Sequence, residues 1–191
     1  MDVQKIVTKN HTAEEISALW TGYHATRSQG TGRGYLSATI PLKTYLSMTA
    51  MALKYPTFLL PLVRVSQEVG HEFYFLEWTM HERPSGCSTV LFTPLQEYKL
   101  RQTFAQPYLV LTHYTELAST HDIVLMRGEM TPSLSGRDKY LLSQSDGQLL
   151  AVGLQRFYLA SGDERRARLL RKFHEKTEEF DWKELLEVEY M

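Results

Sequence analysis

The sequence predicts an α+β fold: a single domain with a mainly antiparallel sheet of five or six strands, flanked by helices and followed by a charged helical tail. Three observations lead to this prediction. Helix and strand patterns alternate along the 191 residues without a long linker. Consecutive strand patterns are joined by short turn signals, as in antiparallel sheets. A chain of this length buries about 70% of its unfolded surface, so it needs neither a metal nor a disulfide to fold.

The composition argues against several classes of protein. The 21 basic and 22 acidic side chains leave a net charge of −1, which gives no reason to expect nucleic acid or an anionic membrane as partner. No apolar run reaches the roughly 18 residues of a membrane span, so membrane insertion is not expected. The single cysteine, Cys87, excludes an internal disulfide and suits a reducing compartment such as the cytosol or an organelle matrix.

The first helix is predicted within "HTAEEISALWTGYHATR". Thr12 and Glu15 have the spacing of a capping box, in which each side chain accepts a hydrogen bond from the backbone N–H of the other residue. The glycine-rich "SQGTGRG" ends this helix, and because it lacks the lysine of a phosphate-binding loop we interpret it as a flexible connection. The apolar stripe of the helix consists of Ile16, Leu19, Trp20 and Tyr23.

The next strand and the second helix each have one apolar side. "YLSATI" alternates, which places Leu36, Ala38 and Ile40 on one face of a strand. Pro41 begins the second helix, where its missing N–H is tolerated. The apolar residues on one side of this helix are Leu42, Leu46, Ala50 and Leu53.

Two consecutive apolar segments, "TFLLPLVRV" and "HEFYFLEWTM", are predicted to be neighbouring strands. Because proline cannot donate to a strand ladder, Pro61 places the first strand at or near an edge of the sheet. In the second strand, Phe73 and Phe75 point to one face. Tyr74, Leu76 and Trp78 point to the other face. One of these two faces is expected to be core.

The remaining elements follow in order along the chain. "CSTVLFT" is a strand, and residues 93–96 have the spacing of a capping box for a helix that ends before Pro107. "YLVLTHY" and "DIVLMRGEM" are the last two strands. Ser143 is predicted to cap a helix whose buried face contains Leu150, Leu154 and Tyr158.

The character of the chain changes after Gly162, where a charge-dense helical segment begins. Its apolar stripe contains Leu169, Leu170 and Phe173. We therefore divide the chain into an α+β domain over residues 1–160 and a helical tail over residues 161–191. The tail is expected either to dock on the domain or to be partly mobile.

Four histidines are candidate metal ligands. His71 and His81 are each followed by a glutamate, but ten residues of extended strand separate them too widely to hold one ion. His113 and His121 flank one connection, and neither a carboxylate nor a thiol motif accompanies them. No metal or cofactor is therefore expected.

Cys87 and His81 are the one candidate pair for nucleophilic catalysis, because the hairpin places them on opposing strands. A reactive thiolate usually lies at a helix N-terminus or beside cations, whereas Cys87 lies at the end of a hairpin loop. A small-molecule enzyme that uses this pair stays an alternative. The residues themselves make no positive case for it, and no catalytic residue is assigned.

Several segments of the chain, in this order and at these intervals, resemble one family. They are "TAEEISALWTGYH", "PTFLLPLVR" with "GHEFYFLEWT", "TVLFTPLQEYKLRQTFAQPYLVLTHYTEL", "DIVLMRGEM" and "LQRFY". The family is the mitochondrial assembly chaperone that binds the free beta subunit of the ATP synthase catalytic head. The resemblance covers residues 12–158, and its most specific parts are residues 92–99 and 126–128.

This resemblance implies a chaperone without enzymatic activity, catalytic residues or cofactor. Members hold the unassembled beta subunit, cover the surface that the alpha subunit later covers, prevent aggregation and leave when alpha arrives. The implied location is the mitochondrial matrix. The start "MDVQKIVTKN" is neither a signal peptide nor an arginine-rich transit peptide, so a mature or trimmed domain is expected. The tail matches no motif of the family.

A chaperone for one subunit interface needs a modest apolar patch, rimmed by charge, that does not promote its own aggregation. We predict that this patch lies on the two neighbouring strands and consists of Phe58, Leu60, Tyr74, Leu76 and Trp78. Besides the enzyme, one further alternative stays open, a general protein-interaction module that binds through the tail helix.

Overall fold

The computed structural model describes residues 11–65, 69–81, 87–136, 139–159 and 162–190. The helices in these residues are α1 (Ala13–Ala25), α2 (Arg27–Gly30, a single turn in which Ser28 and Gln29 have left-handed backbone), α3 (Leu42–Lys54), α4 (Leu95–Arg101), α5 (Ala118–His121), α6 (Gln144–Tyr158), α7 (Glu164–Glu175) and α8 (Trp182–Tyr190). The strands are β1 (Tyr35–Pro41), β2 (Thr57–Val65), β3 (Val69–Met80), β4 (Ser88–Pro94), β5 (Leu109–Tyr114) and β6 (Ile123–Met130). Short 3-10 turns cover Gln102–Phe104 and Thr177–Glu179.

The six strands form one sheet in the order β1-β6-β5-β4-β3-β2, and every neighbouring pair is antiparallel. The sheet curves into a half-barrel. The predicted α+β class with a mainly antiparallel sheet of five or six strands is therefore confirmed. In the described part of the chain β2 ends the sheet, which is the edge position that Pro61 predicted.

The register explains how β2 accommodates its proline. The backbone N–H of Trp78 donates to the carbonyl oxygen of Pro56 at 2.8 Å, and bonded pairs recur at every second residue of an antiparallel ladder. Pro61 is paired with Phe73 and lies an odd number of residues from Pro56, so it falls at a non-hydrogen-bonded position of the ladder. The backbone of Pro61 therefore points away from β3, where the ladder does not require an N–H.

The sheet has a core on each face. Val124 and Met126 of β6 belong to the larger core, which lies beneath α3, α6, α7 and α8. Ile123 and Leu125 alternate with them and face the other way, where α1 supplies Ile16 and Trp20. The indole Nε1–H of Trp20 donates to the carbonyl oxygen of Met126 at 2.9 Å and so fixes α1 on the sheet.

Helix α6 is the central helix of the larger core and contacts both edge strands, β1 and β2. A Cβ atom at Gly147 would lie 2.4 Å from the Met130 methyl group, so glycine lets α6 approach the sheet without displacing that side chain. Ser143 caps the helix as predicted, because its hydroxyl accepts from the N–H of Asp146 at 3.1 Å. The predicted buried face is confirmed, with Leu150, Leu154 and Tyr158 at most 2% exposed.

The tail docks on the domain. The side chains of Leu169, Leu170, Leu185 and Val188 are at most 3% exposed and belong to the larger core. Helix α8 lies beside the edge strand β2, and the ring Nε2 of His174 donates to the carbonyl oxygen of Thr57 at 2.6 Å. The predicted domain boundary between residues 160 and 161 lies outside the described residues. Residues 1–10, which we interpret as the start of a mature or trimmed domain, also lie outside them.

Three details of the helix predictions need correction or refinement. The capping box at Thr12 is confirmed, but the stripe of α1 runs through His24, which is 3% exposed, while Leu19 is 44% exposed. The capping box at 93–96 is wrong, because Thr93 stays in β4 opposite Phe75 and α4 has no side-chain cap. That helix ends at Arg101, several residues before Pro107, because positive φ at Gln102 interrupts it.

Candidate partner-binding surface

The five residues predicted to meet a partner lie in the core. The side chains of Phe58, Leu60, Tyr74, Leu76 and Trp78 are between 0% and 5% exposed. The Phe58 ring packs against Phe157 at 4.7 Å and against Phe173 at 5.4 Å, so α6 and the tail cover this face of the sheet. The prediction that these residues form an accessible surface is therefore wrong, because strand alternation defines two faces but does not say which one the helices cover.

The opposite face of β3 is also partly covered. Phe75 lies 4.4 Å from the ring of Tyr98 on α4, and Phe73 lies 6.1 Å from the ring of Trp182 on α8. Both phenylalanines are half-buried. The large apolar side chains exposed to solvent are therefore found outside β3, and most of them lie on the helices.

Helix α3 has an exposed apolar stripe that consists of Leu42, Leu46, Ala50 and Leu53, which we call the α3 stripe. Leu46 is 56% exposed and Leu53 is 74% exposed, while Leu42 is half-buried. The sequence places these residues on one side of the helix, and that side faces solvent rather than the core. The core receives a second apolar side of α3 instead, formed by Tyr45, Met48 and Ala52.

The surroundings of the α3 stripe are mostly basic. Helix α3 contains Lys43 and Lys54 and has no acidic residue. A shallow depression at its N-terminal end is lined by Pro41, Leu42, Leu46 and the exposed Asp122. The stripe is thus an apolar surface with a lysine at each end, which is the arrangement of apolar centre and polar rim found in protein-binding patches.

A second exposed apolar site lies where α4 ends. Leu100 is 81% exposed and Phe104 is 87% exposed, and we call this pair the α4 corner. Among the further exposed apolar side chains, Leu149 and Val152 lie three residues apart on α6. The others, Leu19, Leu134 and Trp182, lie singly in separate segments, as is normal on soluble proteins.

The candidate catalytic pair is not assembled. The ring Nε2 of His81 lies 3.1 Å from the hydroxyl of Thr89, and the backbone N–H of His81 donates to the carbonyl oxygen of Cys87 at 3.1 Å. The His81 ring thus bonds with Thr89, while the contact between His81 and the half-buried Cys87 runs between their backbones. The geometry offers no support for nucleophilic catalysis at this place.

A buried polar chain that sequence reasoning missed links Tyr45, Ser88 and His113. The Tyr45 hydroxyl donates to Ser88 Oγ at 3.0 Å, and Ser88 Oγ lies 3.2 Å from Nδ1 of His113. Burial lowers the pKa of His113 to about 4, so its ring is neutral near pH 7. Ser88 and His113 are each 1% exposed, which seals this pair from any substrate and makes it part of the core.

Within the described residues there is no group of three or more His, Cys, Asp or Glu side chains that could hold a metal ion. His113 is in the core, and the ring Nε2 of His121 instead donates to the carbonyl oxygen of His11 at 3.1 Å. None of the helices in the described ranges is long and apolar enough to cross a membrane.

The fold and its surface define a class of protein: an α+β domain that exposes apolar helix surfaces and assembles no reaction centre in its described residues. The chain belongs to the ATP11 protein family, whose family model matches residues 1–186. The resemblance found in the sequence is thereby confirmed. The family is one of assembly factors and not of enzymes.

Three relatives illustrate the family. The Schizosaccharomyces pombe protein named "Protein atp11, mitochondrial" is 36% identical over 161 residues, which cover 84% of this chain and 50% of the relative. Proteins named "ATP synthase mitochondrial F1 complex assembly factor 1" are 31% identical over 176 residues in Danio rerio (91% of this chain, 50% of the relative) and 32% identical over 152 residues in Homo sapiens (80% and 39%). The chain spans half or less of the length of these relatives.

Proposed function

We propose that this chain is an assembly chaperone of the mitochondrial F1 ATP synthase, and that it binds the unassembled beta subunit in the mitochondrial matrix. It covers the surface of beta that faces the alpha subunit, prevents its aggregation and leaves when alpha arrives. Membership of the ATP11 family and the names of the relatives, which are F1 assembly factors, support this proposal.

The observation that carries the proposal is the α3 stripe. A helix whose inner side already completes the core has no structural need for exposed leucines on its outer side, because each exposed leucine forgoes burial worth about 1.5–3 kcal/mol. Leu46 and Leu53 are nevertheless more than half exposed. Such a surface gains its burial only when a partner covers it.

The size of this surface suits reversible binding. One exposed helix side is small compared with the interfaces of permanent complexes, which bury 2,000 Å² or more. A client held through such a surface is released when a partner with a larger interface competes for it. The alpha subunit is that competitor in our proposal.

The test is suppression of beta-subunit aggregation, followed by light scattering. We expect the unaltered chain to suppress scattering at equimolar ratio and the double variant Leu46→Ser, Leu53→Ser to lose most of this effect. Both leucines are exposed, so the circular dichroism spectrum and the melting temperature of the variant should stay close to those of the unaltered chain. Leu19→Ser with Leu134→Ser, which removes two exposed leucines elsewhere, is the matched control and should retain suppression.

Two results would oppose the proposal. If the unaltered chain does not suppress aggregation of the beta subunit at all, the beta subunit is not the client. If the α3 variant and the control suppress equally well, the client stands but the α3 stripe is not the binding surface. The tail-based interaction module receives little support, because Leu169, Leu170, Leu185 and Val188 of α7 and α8 are buried in the core. Trp182 is the one exposed large apolar side chain in the described part of the tail.

A further inference from the structure

The α4 corner is the most exposed pair of large apolar side chains within one short segment of the described chain. Leu100 and Phe104 are four residues apart and more than 80% exposed. Between them lies Gln102, whose φ of 52° and ψ of −124° are values that residues other than glycine rarely adopt. The chain reverses at this residue, so the two side chains project from a tight corner rather than from a regular helix.

The corner is held firmly by its neighbours. Tyr98, in the middle of α4, packs on Phe75 of β3 with ring centroids 4.4 Å apart. After the reversal, the N–H of Ala105 donates to the carbonyl oxygen of Gln102 at 3.0 Å, and the N–H of Tyr108 donates to the carbonyl oxygen of Phe92 at 2.8 Å. Strained backbone persists only where the surrounding structure imposes it, so the corner presents its two side chains in a preorganised position.

The corner and the α3 stripe lie on opposite faces of the sheet. Tyr98 places α4 on the face of Phe75, whereas Tyr45 and Met48 place α3 in the larger core, on the face of Leu76. The two exposed surfaces are thus separated by the sheet. Each can be altered without touching the other.

We propose that the α4 corner is a second anchor for the client. At this anchor, Phe104 and Leu100 insert into an apolar pocket of the client that has an acidic rim. This proposal rests on the proposed chaperone function. A flat surface would touch only the tips of two side chains that project from a corner, whereas a pocket covers their sides as well. Exposed aromatic side chains that enter such pockets are typical energetic centres of protein interfaces.

The charges beside the corner specify the rim. Lys99 and Arg101 flank Leu100, and the single acidic residue of α4, Glu97, lies 3.2 Å from the Arg101 guanidinium. This arrangement leaves the segment net positive, so acidic side chains around the pocket complement it. A second copy of this chain is a poorer occupant, since a twofold contact between two corners brings Lys99 and Arg101 next to their own counterparts.

A client that reaches both surfaces is held at two places at once. The second contact then forms within the complex, so two modest contacts together bind more tightly than either does alone. Loss of one contact weakens the complex without abolishing recognition at the other. Release also becomes stepwise, because one contact opens while the other still holds the client.

Photo-crosslinking to isolated beta subunit tests the position of the contact. A benzophenone amino acid replaces Phe104 in one variant, Leu46 in a second, and the fully exposed Leu134 in a third as control. We expect crosslinks to beta from positions 104 and 46 but not from 134. Crosslinks from 46 alone would overturn the α4 anchor and leave the chaperone function standing. Absence of crosslinks from both positions, together with no suppression of aggregation, would overturn both proposals.

Affinity measurements test the energetic role. We expect Leu100→Ser with Phe104→Ser to raise the Kd for isolated beta subunit at least tenfold, with an unchanged melting temperature, and Leu134→Ser to leave the Kd unchanged. Phe104→Leu should retain most of the affinity, because it still fills an apolar pocket. A Kd of the double variant within twofold of the unaltered chain would overturn the anchor, as would crosslinking of position 104 only to a second copy of this chain.

Discussion

At the scale of single residues, His113 shows how burial keeps an imidazole ring neutral. Its ring lies between the Ser88 hydroxyl and the indole of Trp78, which is stacked on it at 5.5 Å with an interplanar angle of 11°. Burial is the dominant influence on the ring and lowers its pKa, against a smaller opposite effect of the hydrogen bond with Ser88. Such a histidine stabilises the fold only as long as it stays neutral.

The stability of the protein should therefore fall as the pH falls from about 6.5 to about 4. Unfolded His113 binds a proton below its ordinary pKa of 6.5, while folded His113 stays neutral down to about 4. The unfolded state then holds more protons, and the free energy of unfolding decreases by up to about 2 kcal/mol between pH 7 and pH 5. The buried His24, whose pKa burial also lowers, acts in the same direction.

Two measurements check this prediction. Urea unfolding at pH 7 and pH 5 should show the loss for the unaltered chain and a smaller loss for His113→Gln. A direct NMR titration of the His113 ring in the folded protein should give a midpoint close to 4. A midpoint near 6.5 would contradict the assignment of burial as the dominant cause.

Gln102 is the second residue with a consequence for stability. Glycine reaches φ of 52° with ψ of −124° without a steric penalty, whereas glutamine meets one. We expect Gln102→Gly to raise the free energy of unfolding by about 1 kcal/mol, measured by urea denaturation. Gln148→Gly, the same substitution on an exposed position within α6, is the control and should lower it by about 1 kcal/mol. Equal losses in both variants would show that Gln102 is not strained.

At the scale of elements, the tail is a structural part of the domain. Helices α7 and α8 contribute fully buried leucines to the core, and a row of ion pairs joins them at the surface. Arg168 pairs with Glu184, which also lies 3.7 Å from the ammonium group of Lys172. The charge density that marks this segment in the sequence thus belongs to its outer side, while its inner side is apolar.

Two neighbouring substitutions in the tail should differ widely in their effect on the free energy of unfolding. Leu170→Ala should lower the free energy of unfolding by about 2–5 kcal/mol, because Leu170 is 0% exposed and its removal leaves a cavity. Arg171→Ala removes only an exposed ion pair with Glu164 and should change it by less than about 1 kcal/mol. Urea unfolding of both variants measures this difference. Similar changes in the free energy of unfolding for the two variants would mean that the tail contributes little to the core.

At the scale of the whole molecule, the tail covers part of one of the two sheet edges, while the exposed apolar groups lie elsewhere. The tail lies along β2, where Thr57 receives the His174 ring, and this cover protects the edge from pairing with other chains. The apolar groups available to a partner are instead on helices α3 and α4, which cannot extend a sheet. A domain built in this way presents apolar surfaces to a partner while it limits strand pairing between its own copies.

Much of this architecture follows from the sequence by local rules. Thr12 and Ser143 specify helix starts because their hydroxyls accept from nearby backbone N–H groups, and both starts are confirmed. Pro61 specifies an edge strand because it has no N–H to donate, and β2 ends the sheet in the described residues. The family resemblance rests on the same linear information. Each of these properties depends on neighbours in the chain, so the sequence alone determined the fold class, the edge and the family.

The tertiary structure alone decided which apolar sides are buried. Alternation along β3 defines two faces, and α3 has two apolar sides. Local rules cannot say which face or side is buried, because burial depends on which distant helix covers it. α6 and the tail cover Phe58 and Trp78, while no described element covers Leu46 and Leu53. Packing between elements far apart in the chain thus determined the candidate binding surface.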